Sequence, residues 1–253
     1  MSTGFSLTLS ISTDGRDELI ADLWEARTTG ITEDTDWVRA FFDEGADKDL
    51  LLRQFDNYAP HLEIEEDYDW VAHSQSMWQP IAVGQRFWLT PDWRDDPVPE
   101  GRIRLQMRPG MACGSGEHPA SQLCLQALER VVRSGSSVLD VGTGSGILAD
   151  AALLLGAGFV IGCDEDDEAT VIARQNVPEA CFFTGSVQSV KDRSVDVVVA
   201  NLNAATVQML GSDLGRIAKT ALIVSGFPED DEPELPRPVR ERLTLNGWIC
   251  LIC

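Results

Sequence analysis

Residues 137–164, SVLDVGTGSGILADAALLLGAGFVIGCD, form the stretch that decides the fold. An apolar strand leads into the turn GTGSG at residues 142–146, and an apolar helix and a second strand ending at Asp164 follow. This order predicts the opening βαβ unit of a doubly wound α/β sheet, in which a nucleoside ligand lies at the carboxyl ends of the strands. Glycine in the turn permits open backbone dihedrals and close approach of a ligand.

Acidic residues at the two strand ends indicate which nucleoside ligand this unit binds. Asp164 is placed to accept hydrogen bonds from the ribose hydroxyls. The glycine spacing alone also fits a dinucleotide fingerprint, but Asp140 would stand close to a pyrophosphate and repel it. S-adenosylmethionine has no phosphate and carries a sulfonium and an ammonium. We therefore predict S-adenosylmethionine as cofactor, with a nicotinamide dinucleotide and a turn that binds nothing as the alternatives. The cofactor-binding candidates in this unit are Asp140, Gly142, Gly144, Gly146 and Asp164.

The composition narrows the class of protein. A chain of 253 residues, 43% of them hydrophobic, is long enough to bury a full core. It has 20 basic and 41 acidic residues and a net charge of −21, which argues against binding to a nucleic-acid backbone. Such a surface attracts a basic protein; a surface adapted for solubility or salt is the alternative.

The six cysteines show neither a CxxC pair nor metal-ligand spacing, so we expect no metal site and interpret them as small core residues in a reducing compartment. The amino terminus, MSTGFSLTLSISTDGRDE, lacks a basic region followed by an apolar one. No apolar run approaches the length that spans a membrane. These features predict a soluble cytoplasmic protein.

Residues 1–66 are expected to form a small α/β domain. The alternation of apolar and polar residues predicts strands, and Asp14 is a candidate cap for the first helix. The implied order βαββαβ is that of a ferredoxin-like domain. Three of the four strands are assigned to residues, at 5–12, 37–42 and 61–65, and the predicted helices cover 14–27 and 47–55.

Residues 67–108 are expected to connect this domain to the next one. The acidic segment EIEEDYDW leads into WQPIAVGQRFWLTPDW, which contains Trp78, Trp88 and Trp93. Such a run is typical of a hairpin packed on a neighbouring domain. Packing in the core is favoured over stacking on a ligand.

Residues 109–253 are expected to form the cofactor-binding domain. After Asp164, helices and strands alternate as a parallel sheet requires, with strands predicted over 180–184, 195–201 and 221–225 and helices over 168–176 and 204–218. Four prolines between residues 228 and 238 make a long crossover helix unfavourable after Gly226. Asn246-Gly247 then predicts a type I′ hairpin. An antiparallel hairpin that closes a parallel sheet is a property of class I methyltransferases, which are Rossmann-like.

Taken in order, these segments resemble the bacterial family that methylates ribosomal protein eleven of the large subunit. The resemblance covers roughly residue 69 to the carboxyl terminus. Its motifs are WQPIAVGQRFWLTPDW, PGMACGSGEHPASQLCLQAL, VLDVGTGSG, GCDEDDEATVIARQN and VDVVVANLNA. The resemblance implies an enzyme that uses S-adenosylmethionine to methylate lysine side chains and the amino terminus of a basic ribosomal protein, which its small first domain recognises.

The resemblance also implies roles for individual residues. Gly142 would line the methionine portion of the cofactor, Asp164 would hold the ribose, and Asn201 would stand beside the sulfonium and the incoming amine as the catalytic residue. The loop from Gly114 to Ser121 would cover the cofactor. An asparagine that merely ends a strand is the alternative for Asn201.

Three further motif residues have simpler interpretations. His118 is expected to orient its loop by hydrogen bonding rather than to accept a proton. Asp166 and Asp167 are expected to cap the following helix.

Four residues depart from the family pattern. Cys113, Ala120 and Ser121 replace an aromatic residue and two threonines in the loop. After Asn201 the family has an apolar residue and then alanine, and here the polar Asn203 is inserted between Leu202 and Ala204. These departures leave two alternative functions open: a small-molecule methyltransferase and a non-catalytic cofactor-binding protein.

Overall fold

The computed structural model describes residues 4–11, 15–64, 78–108 and 116–253. Asp14, Cys113 and Gly114 lie outside these ranges. The chain divides into two compact units at the Trp78–Gln79 bond. The boundaries expected after residues 66 and 108 stay predictions, whereas the three strands formed between residues 81 and 107 belong to the second unit.

The first unit contains one four-stranded sheet of order β2-β3-β1-β4 in which all neighbours are antiparallel. The element order is the predicted βαββαβ order, and the strand at Gly30–Asp34 is the one that the sequence patterns did not locate. The ferredoxin-like assignment itself stays a prediction. The elements are β1 (Phe5–Ser10), α1 (Arg16–Glu25), β2 (Gly30–Asp34), β3 (Trp37–Phe42), α2 (Lys48–Gln54), a 3₁₀ turn (Asp56–Tyr58) and β4 (His61–Ile64).

The core of the first unit follows from the two sequence periodicities. Phe5, Leu7 and Leu9 alternate along β1 and are fully buried. Leu19 and Leu23, one helical turn apart on α1, are fully buried in the same core cluster. The sheet therefore packs its apolar face on the helices.

The second unit begins with a three-stranded sheet of order β5-β6-β7, formed by β5 (Ile81–Val83), β6 (Phe87–Pro91) and β7 (Ile103–Met107). Strands β5 and β6 form the antiparallel hairpin predicted for the tryptophan-rich segment. Its turn is held by helix α3 (Pro119–Val131), because the Glu129 carboxylate accepts hydrogen bonds from the backbone N–H groups of Gln85 and Arg86, both at 2.9 Å.

The main sheet of the second unit has seven strands in the order β10-β9-β8-β11-β12-β14-β13. All neighbours are parallel except around β14, which is antiparallel to both β12 and β13. This arrangement confirms the predicted fold class. The elements are β8 (Ser137–Val141), α4 (Ile147–Leu154), β9 (Phe159–Asp164), α5 (Asp167–Asn176), β10 (Cys181–Thr184), β11 (Val195–Asn201), α6 (Ala204–Ile217), β12 (Ala218–Pro228), β13 (Glu241–Leu245) and β14 (Trp248–Ile252).

The carboxyl-terminal hairpin confirms the turn prediction. Asn246 and Gly247 have φ angles of 50° and 77°, as a type I′ turn requires. The described segment between β12 and β13 contains no helix, in agreement with its prolines. Of the cysteines in the described residues, Cys181 is exposed and the other four are buried. Across the same residues, none of the helices has the length and apolar character needed to cross a membrane.

Candidate active site

The glycine turn after β8 is fixed to the neighbouring strand β9. Gly142, Gly144 and Gly146 have φ angles of 69°, 52° and 84°, a region that side chains rarely adopt. The backbone N–H groups of Gly142 and Thr143 both donate to the Cys163 carbonyl, at 2.9 and 3.0 Å. The turn is therefore held open at the carboxyl edge of the sheet, where ligands of doubly wound folds bind.

Asp164 connects the turn to the start of α5. Its Oδ2 accepts a hydrogen bond from the Gly144 backbone N–H at 3.0 Å, and its Oδ1 accepts one from the Asp166 N–H at 3.1 Å. Each carboxylate oxygen has two lone pairs, so both can still accept from a ligand. The side chain is part-exposed at the end of β9, where a ribose-binding carboxylate is expected.

A cavity of about 210 Å³ opens beside Asp164. Gly142 and Asp164 form one side, residues 185–187 after β10 form the second, and Thr206 and Leu210 of α6 belong to the third. Sequence reasoning missed the second and third sides. Because β10 neighbours β9, the rule that ligands lie at strand carboxyl ends would have pointed to residues 185–187.

Gly142 and Gly146 of the turn permit two different close approaches. A Cβ at residue 142 would lie 2.5 Å from Leu202 Cδ2, so glycine there permits the close approach of the segment after β11. A Cβ at residue 146 would lie 3.1 Å from Val177 Cγ2 and 3.3 Å from Ala173 Cβ. Gly146 thus lets α4 pack on α5, and it does not line the cavity among the described residues.

Asn201 and Ser121 are brought together although 80 positions separate them. The Asn201 amide donates a hydrogen bond from Nδ2 to Ser121 Oγ at 3.0 Å. Asn201 ends β11, and Ser121 is buried in the first turn of α3. This contact fixes the rotation of the amide and therefore the direction of its carbonyl oxygen. Ser121 preserves a hydroxyl where the family pattern has threonine, so that departure is chemically conservative.

The polar residues around this pair are helix caps. His118 Nδ1 accepts from the Ala120 backbone N–H at 3.3 Å, and its ring packs edge-on against Trp248 with centroids 4.3 Å apart. This bond is one that an orienting His118 makes, and the choice between orienting the loop and accepting a proton stays a prediction. Asn203 Oδ1 accepts from the Thr206 N–H at 2.9 Å, so its departure from the family pattern supplies the cap of α6.

Helix α5 begins with the cap that the sequence predicts. Asp166 caps α5 by accepting from the Glu168 N–H at 2.9 Å, as predicted, and Asp167 is the first residue of that helix. At the end of the loop that starts at Gly114, Gly116 is buried, and a Cβ there would lie 2.7 Å from Ile147 Cδ1. The described end of this loop therefore packs directly on the first residue of α4.

Asp140 lies beneath the glycine turn. It is fully buried, does not line the cavity among the described residues, and its Oδ2 accepts a hydrogen bond from Thr143 Oγ1 at 2.7 Å. Burial raises the pKa of Asp140 to about 7, against an opposing contribution from the Thr143 hydrogen bond. Its direct role is therefore to support the turn through Thr143.

The raised pKa of Asp140 predicts a pH dependence of stability. Because the folded protein holds this proton more tightly than the unfolded chain, the free energy of unfolding falls as pH rises from about 4 to about 7. Asp140→Asn, which is always neutral, should gain stability relative to the parent by up to a few kcal/mol between about pH 5 and about pH 8. Denaturant unfolding at both pH values measures this gain. If the difference in free energy of unfolding between Asp140→Asn and the parent were the same at both pH values, this prediction would be wrong.

The chemistry of the cavity distinguishes between nucleoside ligands. Asp164 and Glu165 line it, and none of the described lining residues is basic. A pyrophosphate beside these carboxylates would be repelled, whereas a sulfonium and an ammonium suit them. No group of side chains in the described residues could hold a metal ion. The sheet order, the glycine turn and the strand-end carboxylate define a class I S-adenosylmethionine-dependent methyltransferase.

Comparison with known proteins agrees with this class. The family model described as ribosomal protein L11 methyltransferase (PrmA) matches residues 6–251. The chain belongs to this family. Among curated relatives, the ribosomal protein L11 methyltransferase of Cupriavidus metallidurans is 37% identical over 85% of this chain and 76% of the relative. That of Chromobacterium violaceum is 40% identical over 77% and 68%.

A solved structure supports the same assignment. The ribosomal protein L11 methylase of Lactobacillus delbrueckii subsp. bulgaricus has a TM-score of 0.62 at 28% identity. The match covers 69% of this chain and 97% of that chain. The protein is thus an S-adenosylmethionine-dependent protein methyltransferase by fold and family.

Proposed function

We propose that this enzyme methylates amines, on lysine side chains or the amino terminus, of a basic ribosomal protein. The observation that carries the proposal is the Asn201–Ser121 hydrogen bond, which orients an amide at the edge of the sheet that also holds Asp164. The printed names of the relatives support a ribosomal protein as substrate. The net charge of −21 supports a basic one.

The geometry of the cavity supports the following cofactor-binding roles. Asp164 accepts hydrogen bonds from the ribose, and Gly142 leaves room for the methionine portion beside the turn. Residues 185–187 and α6 enclose the nucleoside end. Gly144 positions the Asp164 carboxylate, while Gly146 and Asp140 hold the turn in place. Gly114 keeps its sequence-based role as part of the loop that covers the cofactor.

The transfer needs alignment more than proton abstraction. S-adenosylmethionine supplies a methyl group on sulfur, which an amine nitrogen takes by in-line displacement as the carbon–sulfur bond breaks and its electron pair stays on sulfur. The carbonyl oxygen of the Asn201 side chain accepts an amine hydrogen and so points the nitrogen lone pair at the methyl carbon. Ser121 holds the amide in that orientation. The amine loses its proton to solvent before the transfer.

We expect Asp164→Ala to weaken cofactor binding by about 1.5–3 kcal/mol, the cost of losing hydrogen bonds to a charged group. Calorimetric titration with S-adenosylhomocysteine measures this change. Asp166→Ala is the matched control, because it removes a neighbouring carboxylate that caps α5 without lining the cavity. The control should lose about 1 kcal/mol of stability and keep its affinity. Equal affinities of the two variants would remove Asp164 from the binding site.

The choice of ligand is tested by the same titration on the parent protein. We expect S-adenosylmethionine and S-adenosylhomocysteine to bind and nicotinamide dinucleotides not to bind, because Asp164 and Glu165 line the cavity and would repel a pyrophosphate. Tighter binding of a dinucleotide would overturn the cofactor assignment.

A further inference from the structure

We propose that Arg216 is a positioning residue that sets the width of the nucleoside end of the cavity. The inference rests on the proposed function, since it assumes that the cavity beside Asp164 holds the nucleoside. It concerns a side chain on the last turn of α6 that does not itself line the cavity among the described residues.

Arg216 fixes the segment that follows β10. Its guanidinium donates to the carbonyl oxygens of Val190 at 2.6 Å and of Gln188 at 3.0 Å. These bonds hold the segment immediately after Val187, which is buried and lines the cavity. At its other end the segment is held by the Gly185 N–H, which donates to the Asp164 carbonyl at 2.8 Å.

The guanidinium is itself held in place. Its Nε donates to Asp213 Oδ1 at 2.8 Å, one turn earlier on the same helix, and its Nη1 also donates to Asp192 Oδ1 at 2.6 Å. The Arg216 carbonyl in turn accepts from the Arg193 N–H at 3.0 Å. The side chain therefore has one orientation relative to α6, and charge-assisted bonds to carbonyls are stronger than neutral ones.

The two elements that Arg216 joins line two of the three sides of the cavity. Residues 185–187 belong to one of these sides, and Thr206, Met209 and Leu210 of α6 belong to the other. Because Arg216 lies on α6 and bonds to the segment just beyond residue 187, it connects these two sides. A planar base needs a slot of fixed width to make contact on both faces, so loss of this connection should cost cofactor affinity.

The test measures S-adenosylhomocysteine affinity by calorimetry and turnover at saturating cofactor. We expect Arg216→Ala to raise the dissociation constant by about tenfold and to leave saturated turnover within about twofold, since the slot affects cofactor and transition state equally. Lysine has one ammonium group instead of a forked guanidinium, so it cannot bond to both carbonyls in the same way. Arg216→Lys should therefore raise the dissociation constant by an intermediate factor. 5′-Methylthioadenosine, which carries only the nucleoside end, should lose affinity by the same factor.

Two controls separate positioning from general stability. Arg102→Ala removes equivalent arginine bonds to the carbonyls of Gly84 and Phe87, far along the chain from the cavity segment. It should lower the melting temperature and keep cofactor affinity. Asp192→Ala removes an exposed partner but leaves the bonds from Arg216 to the carbonyls, and it should also keep affinity.

The possible results separate a failure of the proposed function from a failure of the role of Arg216. A parent protein that fails to bind S-adenosylhomocysteine would refute the proposed function. If the parent binds S-adenosylhomocysteine and both Arg216→Ala and Arg216→Lys bind it as tightly as the parent does, the role of Arg216 is refuted and the proposed function is not. An equal loss of affinity in Arg102→Ala would reduce the effect to stability and would also overturn it.

Discussion

Gly226→Ala is expected to destabilise the fold by about 2–4 kcal/mol and to reduce methyl transfer by more than about a hundredfold. Gly226 has a φ angle of 105°, and a Cβ there would lie 2.4 Å from the Leu202 carbonyl oxygen and 2.7 Å from its backbone nitrogen. These are backbone atoms held by the bond from the Leu202 N–H to the Ser225 carbonyl at 2.8 Å. Relief of the clash must move Leu202 and, with it, Asn201.

Gly101→Ala isolates the contribution of the clash. Gly101 has a φ angle of 78°, and a Cβ there would meet no atom within 4 Å. This control variant has the backbone strain without the clash. It should lose about 1 kcal/mol of stability and keep its turnover. Thermal unfolding and turnover are measured for both variants. If Gly226→Ala matched Gly101→Ala in both melting temperature and turnover, the close approach of Leu202 would not position the site.

Asn201→Ala is expected to reduce turnover by about a hundredfold or more, which corresponds to about 3 kcal/mol of lost alignment in the transition state. Cofactor affinity should change far less, because the ribose contact lies at Asp164. Turnover at saturating cofactor and calorimetric affinity together separate transition-state positioning from ligand binding.

Asn203→Ala is the matched control for Asn201. It removes an asparagine two residues away whose side chain caps α6. It should lose about 1 kcal/mol of stability and keep turnover within a few-fold. If Asn201→Ala also stayed within a few-fold of the parent, Asn201 would only end a strand, and the alternative interpretation of this residue would be correct.

Local sequence patterns predicted most of the fold. The unit from β8 to β9, the strand at residues 195–201 and the Asn246-Gly247 hairpin were found because each depends on neighbours in sequence. The strand after α6 was predicted too short. β12 runs from Ala218 to Pro228 because its antiparallel pairing with β14 continues past a register shift after Ser225. Pairing between distant segments leaves no local signal.

The candidate site was predictable as a set of residues but not as a set of roles. The glycine pattern identified Gly142 and Asp164, both of which line the cavity. It also included Gly146 and Asp140, which instead support helix packing and the turn. The bond from Asn201 to Ser121 and the close approach at Gly226 join segments that are far apart in the chain. They can therefore be identified only in the folded structure.

Transfer of label from tritium-labelled S-adenosylmethionine tests the central claim most directly. The purified enzyme is incubated with the labelled donor and a lysate from a strain that lacks this protein, and the products are separated into proteins and small molecules. We predict label in one protein band, that of a basic ribosomal protein, and its loss with Asn201→Ala. Label confined to the small-molecule fraction, or found nowhere, would contradict a protein amine methyltransferase.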